Sequence, residues 1–531
     1  MERSRTQSIC VPNLSQWMTG TCSAVTNNEN SNDNSDGNSD DNNNDKKILI
    51  LDGGVSTFLE QLQKQKPAFT HRALWSSSLL LDDDTHTTIL NTIVGNENGE
   101  QQQHQQQQGA KDIQLAHETF YNAGCDIIST VTYQLSHYIC SPCNQKNDTN
   151  NYDDNGNETD TGLRLKEEEI DSLLRKGIKI AHDVKLQQLK LLEQSLQHQQ
   201  QQLSSTSSEN HEHNNHQRYY KYVITSLGCY GAALADGSEY RGNYGVSIDD
   251  LKNFHRKRFH VVMDANFTNQ QQQRQSSSEA NIGHHDDNND GDRDDDDEES
   301  YCYTNVRQDI SKNNIQIVDG VAFETVPSIM EVEAIIHVVK ERVKNSNHGH
   351  DNKNENIFDY NDDDMAIWIS LACKDDIHLN DGTPLTKVLD TIETLDDDGF
   401  IHGIGVNCFN IKHAKSLTKQ IAKHQIKSKH NRTIIFYPNS GEEWDAMNEA
   451  WLIGSGCSDP ESFAIDMMES IGAIHSIFLE QQEEAKSNSS SSSSPKHCRI
   501  IVGGCCRTSP EMIRSLRNHV DLYTYKKERI K

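Results

Sequence analysis

Residues 498–506 read CRIIVGGCC, and 509–518 follow as SPEMIRSLRN. The first stretch is a short run of apolar, largely β-branched residues closed by a double-glycine turn. The second is a helix start, with Ser509 as N-cap and Pro510 in the first helical position. Strand, turn and helix in that order make one β/α unit. The same unit recurs upstream at 47–52 (KILILD), 125–133 (CDIISTVTY), 220–228 (YKYVITSLG), 319–324 (DGVAFE), 365–373 (MAIWISLAC), 403–408 (GIGVNC) and 433–441 (TIIFYPNSG). Near-continuous apolar runs of this length suit parallel strands buried on both faces. Helical periodicity falls where crossovers are needed, over 113–122, 167–192, 328–344, 412–424, 460–480 and 510–518. Eight β/α units describe an α/β protein of the (β/α)8 TIM-barrel class. A doubly wound open sheet is the rival that strand counting leaves standing.

The islands that carry these units are separated by Asn-, Asp-, Gln- and Ser-rich tracts. The 531-residue chain is only 34% hydrophobic, with a mean hydropathy of -0.79. That is too polar for packed cores along its whole length. The expected organisation is a disordered segment over 1–46, one barrel over 47–520, and a C-terminal tail over 521–531. Disordered insertions interrupt the barrel near 96–108, 144–160, 194–217, 269–299, 345–364 and 481–494. Without them roughly 350 residues remain, the size of one large barrel domain. Loops on a barrel surface accept such additions at modest entropic cost. Inserts that precede a strand emerge on the face opposite the strand ends, whereas 144–160 follows the second strand and lies toward the mouth.

The formal charge of -30 resides largely in these tracts, as in the run HDDNNDGDRDDDDEE at 285–299. An acidic balance of this kind points away from nucleic acid and anionic membrane. No run approaches the roughly 18–20 consecutive apolar residues of a membrane span, and no secretory signal pattern opens the chain. The expected location is cytoplasmic, with Arg3 and Arg5 in a Ser/Thr-containing start leaving room for an organelle transit segment.

In a (β/α)8 barrel the reacting groups gather at the carboxyl ends of the strands. Here those ends supply Asp52, Thr132, Tyr133, Cys229, Glu324, Cys373, Asn407, Cys408, Tyr437, Asn439, Cys505 and Cys506. Cys408 on the sixth strand and the pair Cys505–Cys506 on the eighth converge across the mouth. Three thiolates with one open position make a catalytic zinc site. The Gly-Gly before the pair is expected to supply unusual backbone angles that let both thiols face one ion. A disulfide between the two neighbours is strained. A nucleophilic cysteine also suits such a turn, although no histidine stands at a strand end to activate it. Cys140 and Cys143 form a C-x-x-C without a second pair. Cys125, Cys229, Cys373 and Cys498 read as packing residues, and the histidine clusters near His211 and His284 as solvated loop. Neither dinucleotide nor P-loop glycine motifs follow a strand.

Taken together, LDGG (51–54), SLGCYGAALADGSEYRGNYG (226–245), FETVPSIMEVEA (323–334), GVNC (405–408), YPNSGE (437–442) and GGCCRT (503–508) resemble the homocysteine S-methyltransferase family. The match extends over nearly every globular island. The resemblance implies a (β/α)8 barrel with Zn2+ on Cys408, Cys505 and Cys506 and the sulfur of homocysteine in the fourth position. It also implies that Asp52 and Glu324 lie near the substrate amino group, with Thr132, Asn407 and Tyr437 lining the pocket. The segment YGAALADGSEYRGNYG and the YPNSGE turn followed by Trp444 resemble the branch that uses S-methylmethionine, with S-adenosylmethionine as a second sulfonium donor. The betaine-using branch is the alternative enzyme. A degenerate barrel whose polar tracts serve as interaction segments is the non-catalytic alternative. Arg507, beside the cysteine pair, suits either a substrate carboxylate or a structural acid.

Overall fold

The computed structural model describes residues 13–21, 46–62, 74–81, 103–140, 165–204, 220–279, 318–348, 365–442, 444–445, 450–451, 456–457, 459–487 and 498–530. Among them, eight strands form one all-parallel sheet: β1 (Ile48–Ile50), β2 (Ile127–Ser129), β3 (Tyr222–Gly228), β4 (Gly320–Val326), β5 (Ala366–Leu371), β6 (Gly403–Asn410), β7 (Thr433–Asn439) and β8 (Ile500–Val502). Each lies where the sequence places a strand. Hydrogen-bonded neighbours run β1-β8-β7-β6-β5-β4-β3-β2. The remaining gap is bridged in parallel at Leu51 and Ile127. There the Asp52 amide donates to the Ile127 carbonyl at 2.9 Å and the Asp126 amide to the Ile50 carbonyl at 2.6 Å. The sheet is a nearly closed (β/α)8 barrel, and the open-sheet rival is excluded.

Alternation along each strand divides the core. Leu49, Leu51, Ile224, Ala322, Trp368, Ile435, Tyr437 and Ile501 fill the barrel interior, while Ile48, Ile50, Val223, Val321, Ile369 and Ile434 pack outward against the helices. This two-residue period on strands buried on both faces makes the interior a packed core rather than a pore. The helix Pro460–Ser487 is, over Pro460–Ala485, long and apolar enough by composition to cross a bilayer. It presents Phe463, Ala464, Met467, Ile471 and Ile474 to the core and carries Glu461, Asp466 and Glu469.

Described helices extend into three parts of the expected organisation. Segment 1–46 contains the helix Leu14–Thr19, capped by the Asn13 side chain at the Ser15 amide (2.9 Å) and closed by Gly20 at φ 79°. Leu14, Trp17 and Met18 are buried in the interior cluster, and the Trp17 indole donates to the Lys46 carbonyl at 2.7 Å. Each such burial contributes about 1.5–3 kcal/mol, enough to order a short segment that polar sequence surrounds. Second, several helices run into tracts expected to be disordered: Gln103–Ala123, Glu167–Ser204, Ile248–Glu279, Ile329–His348 and Pro460–Ser487. Glutamine is a fair helix former, and a helix already nucleated on the barrel propagates cheaply into it. Third, the expected tail at 521–531 continues the helix Pro510–Ile530. The insert 144–160 and Cys143 lie outside the described residues.

Candidate functional site

The carboxyl ends of β6 and β8 bring Cys408, Cys505 and Cys506 together, with the three sulfurs all within 4.8 Å of one another. Cys408 Sγ and Cys506 Sγ are 3.9 Å apart, and all three cysteines are free thiols. Tetrahedral metal–thiolate bonds of about 2.3 Å put sulfurs about 3.8 Å apart, so the donor set fits a soft divalent ion with three thiolate ligands. Hydrogen bonds from Cys505 and Cys506, and from Asn439 and Tyr240, push the Cys408 thiol well below its usual range. That thiolate in turn raises Cys505 and Cys506. One proton leaves easily and the other two are held by the charge already present, a repulsion that a bound cation relieves.

The backbone around the thiols explains how they converge. Register shifts interrupt the ladder between Phe323 and Val326 on β4 and between Asn407 and Asn410 on β6. Such bulges re-aim side chains beside functional sites. Thr325 (φ 59°), Cys408 (φ 54°) and Arg507 (φ 64°) all occupy left-handed conformations unusual for non-glycine residues. The Gly503-Gly504 pair, expected to carry the special angles, does not; positive φ falls on Cys408 and Arg507 instead. Its role is close approach. A Cβ on Gly504 would meet Thr508 at 2.2 Å, and one on Gly54 would meet the Cys505 carbonyl at 2.6 Å. The two glycine turns interlock through Gly504 N–H to the Asp52 carbonyl and Gly54 N–H to the Thr508 carbonyl, both 2.9 Å.

Two buried acids flank the thiols. Asp52 accepts from the Ser129 amide and hydroxyl, each at 2.7 Å, and burial pushes its carboxyl up to about 8. Glu324 accepts from the Ser226 hydroxyl and from Tyr437 Oη at 2.8 Å; burial raises it as well. The Tyr437 hydroxyl also pairs with Ser370 Oγ at 2.8 Å. Burial disfavours the charged form of each carboxyl, and a cation beside them would favour it.

The other expected pocket residues are engaged within the barrel. Thr132 Oγ1 donates to the Ser226 carbonyl at 2.7 Å and is fully buried. Asn407 uses both ends of its amide on Thr325, accepting from its N–H at 2.8 Å and donating to its hydroxyl at 2.9 Å. Arg507 Nε donates to Glu442 Oε2 at 2.6 Å, the structural-acid alternative. Cys229 and Cys373 are buried, and burial pushes the Cys373 thiol up to about 12, in keeping with packing roles.

Sequence reasoning did not single out Tyr240 and Glu239. Both sit on the segment after β3, where the charge of the Cys408 thiolate holds the Tyr240 hydroxyl well above its usual range and burial, helped by the same thiolate, pushes the Glu239 carboxyl up to about 7. The signal available was the density of glycine and aromatic residues in YGAALADGSEYRGNYG. Gly231 is required because a Cβ there would meet the Glu239 amide nitrogen at 2.4 Å.

A family model described as homocysteine S-methyltransferase matches residues 49–268 and 281–520. Homocysteine S-methyltransferase YbgG of Bacillus subtilis (strain 168) is 29% identical over 294 residues, which span 55% of this chain and 60% of that protein. Homocysteine S-methyltransferase 1 of Brassica oleracea var. italica is 24% identical over 408 residues, 76% of this chain and 81% of its own length. Among solved structures, the metallated form of the homocysteine methyltransferase MmuM from Escherichia coli aligns with 89% of this chain and 96% of that chain, at 19% identity and a TM-score of 0.46.

Proposed function

Because the chain belongs to the homocysteine S-methyltransferase family, we propose that it transfers a methyl group from a sulfonium donor, S-methylmethionine in first place, to the sulfur of homocysteine, giving methionine. The observation that carries this reading is the cluster of Cys408, Cys505 and Cys506 at the barrel mouth, set between two buried acids. The ion we assign to the three thiols is Zn2+. When bound, it would supply the Lewis acidity that keeps a substrate thiol ionised at neutral pH.

The chain's own residues supply the rest. Asp52 and Glu324 bind the α-ammonium of homocysteine, and the cation favours the charged form of both carboxyls against the burial that disfavours it. Ser129, Ser226 and Tyr437 keep those carboxyls oriented through the hydrogen bonds they donate. Substrate sulfur is thereby aimed at one methyl carbon. The new C–S bond forms on the homocysteine sulfur while the old bond to the sulfonium sulfur breaks. The bonding pair leaves with the donor, which departs as a neutral thioether. A thiolate and a sulfonium cancel each other's charge, so no proton donor is needed at the leaving group. In-line alignment of two bound reactants is worth up to about 7–11 kcal/mol.

A competition assay tests the donor. Methionine is expected to form from homocysteine faster with S-methylmethionine than with betaine at equal concentration. A preference for betaine would overturn the donor assignment and leave the thiol acceptor in place.

A further inference from the structure

Glu324 is gripped at both carboxyl oxygens, and the grip reaches one residue beyond those the proposed reaction uses. The Ser226 hydroxyl donates to Oε2 and the Tyr437 hydroxyl to Oε1, the latter at 2.8 Å. Tyr437 Oη also lies 2.8 Å from Ser370 Oγ. The partners come from three strands around Glu324 on β4: Ser226 from β3, Ser370 from β5 and Tyr437 from β7. Between β5 and β7 stands β6. Neighbouring strands are about 4.8 Å apart, so a side chain on β7 meets one on β5 only across the interior face of β6. The β6 residue in register with Ser370 is Gly405, which puts no side chain in the way.

Packing alone gives Ser370 no reason to be polar. Its strand reads AIWISL and is buried at every position. Ala366 and Trp368 belong to the interior cluster, and the two-residue period puts Ser370 on the same face. Ser370 is fully buried, and among the described residues Tyr437 Oη is the partner of its hydroxyl. One buried hydrogen bond between neutral groups adds little to a fold beyond offsetting the desolvation of its own atoms. What Ser370 contributes is direction. Tyr437 has one hydroxyl proton and two oxygen neighbours. A carboxylate only accepts, so with a cation held at Glu324 the Tyr437 proton points to Glu324 Oε1 and the Ser370 proton to Tyr437 Oη. Donation into Tyr437 polarises its hydroxyl and strengthens the bond that it makes to Glu324.

We propose that Ser370 is a positioning residue for the acceptor substrate: through Tyr437 it locks the Glu324 carboxylate in the orientation that receives the α-ammonium of homocysteine. The proposal rests on the amino-group role given to Glu324 above. Because Ser370 acts through that carboxylate, its loss falls on ligands that carry an ammonium and spares those that bind by their sulfur and carboxyl alone.

The test measures binding by calorimetry in the zinc-loaded, full-length protein. The two probes are L-homocysteine and 4-mercaptobutanoate, which is homocysteine without its amino group. Ser370→Ala is expected to raise the Kd for homocysteine about fivefold and to leave that for 4-mercaptobutanoate within about twofold. In Tyr437→Phe, which already lacks the connecting hydroxyl, adding Ser370→Ala should change the homocysteine Kd by less than about twofold. Equal weakening of both ligands would make Ser370 a packing residue and overturn the proposal. A full further loss in the Tyr437→Phe background would overturn it too, since Ser370 would then act by another route. A wild-type protein that binds the two probes equally would instead sink the amino-group role of Glu324. The hydrogen-bond chain is then still decided by thermal unfolding of the ligand-free protein. There Ser370→Ala is expected to lower Tm by about 2 °C in the wild type and by less than about 1 °C in Tyr437→Phe, and equal shifts would mean that no chain joins Ser370 to Glu324.

Discussion

Asn407 and Thr325 hold each other through two hydrogen bonds, the Thr325 amide to Asn407 Oδ1 at 2.8 Å and Asn407 Nδ2 to the Thr325 hydroxyl at 2.9 Å. Each residue immediately adjoins a functional one, Cys408 after Asn407 and Glu324 before Thr325. Thr325 and Cys408 both hold positive φ, a strain of about 1–3 kcal/mol apiece. The amide clasp therefore ties the bulge that aims a carboxyl to the bulge that aims a thiol. Asn407→Ala leaves a buried Thr325 amide without its partner, at about 1–3 kcal/mol. It is expected to lower the denaturation midpoint and to weaken metal retention about tenfold or more, measured by zinc content after dialysis. Full zinc occupancy after competition with a chelator would show that the clasp is not needed to shape the site.

The thiol cluster sets a sharper test. Purified protein is expected to carry about one zinc per chain, and Cys505→Ser combined with Cys506→Ser to carry none. Chelation of the wild type should abolish methionine formation, and added zinc should restore it. Zinc retained in the double variant would remove Cys505 and Cys506 from the site.

Much of this site was legible in the sequence because strand ends in a barrel are predictable places. Cys408, Cys505, Cys506, Asp52 and Glu324 each follow an apolar run long enough to mark a strand, and the topology does the gathering. Roles that depend on a specific partner were not legible. Nothing in GVNC states that Asn407 turns its amide onto Thr325, 82 residues earlier. Nor does GGCC state that its glycines yield space to Thr508 while Cys408 and Arg507 take the strained angles. The same holds for the N-terminal plug. LSQWMT is too short to read as a helix, and only the open base of the barrel gives Trp17 somewhere to go.

Close packing of the two glycine turns yields a paired prediction. Gly54→Ala would place a methyl 2.6 Å from the Cys505 carbonyl and 2.4 Å from Thr57 Oγ1, so the turn bearing the cysteines must shift. Loss of zinc binding and destabilisation by about 1–3 kcal/mol are expected. At Gly472, within the helix Pro460–Ser487, an added methyl would meet nothing within 4 Å. Gly472→Ala should stabilise the protein by about 0.5–1 kcal/mol through helix propensity. Chemical denaturation of both variants measures the contrast, and a zinc-replete Gly54→Ala would mean that the turns do not interlock as described.

Asp52 gives the protein a pH dependence of known sign. Burial raises its carboxyl from 3.8 to about 8, so between those values the unfolded chain is ionised there while the folded, ligand-free chain keeps its proton. The folded state binds more protons across that window. Stability contributed by this group therefore falls as pH rises from about 4 toward about 8 and levels off above, by at most about 1.4 kcal/mol per pH unit. Glu324, also raised, adds to the slope in the same direction. Asp52→Asn removes one of the two titrations. Metal-free Asp52→Asn should lose less stability than metal-free wild type between about pH 5 and about pH 7, followed by thermal unfolding. Homocysteine should flatten the wild-type slope, because its ammonium supplies the charge that makes ionised Asp52 tolerable in the barrel wall. Parallel slopes for variant and wild type would mean that Asp52 is already ionised in the folded, ligand-free protein and that burial does not hold its proton.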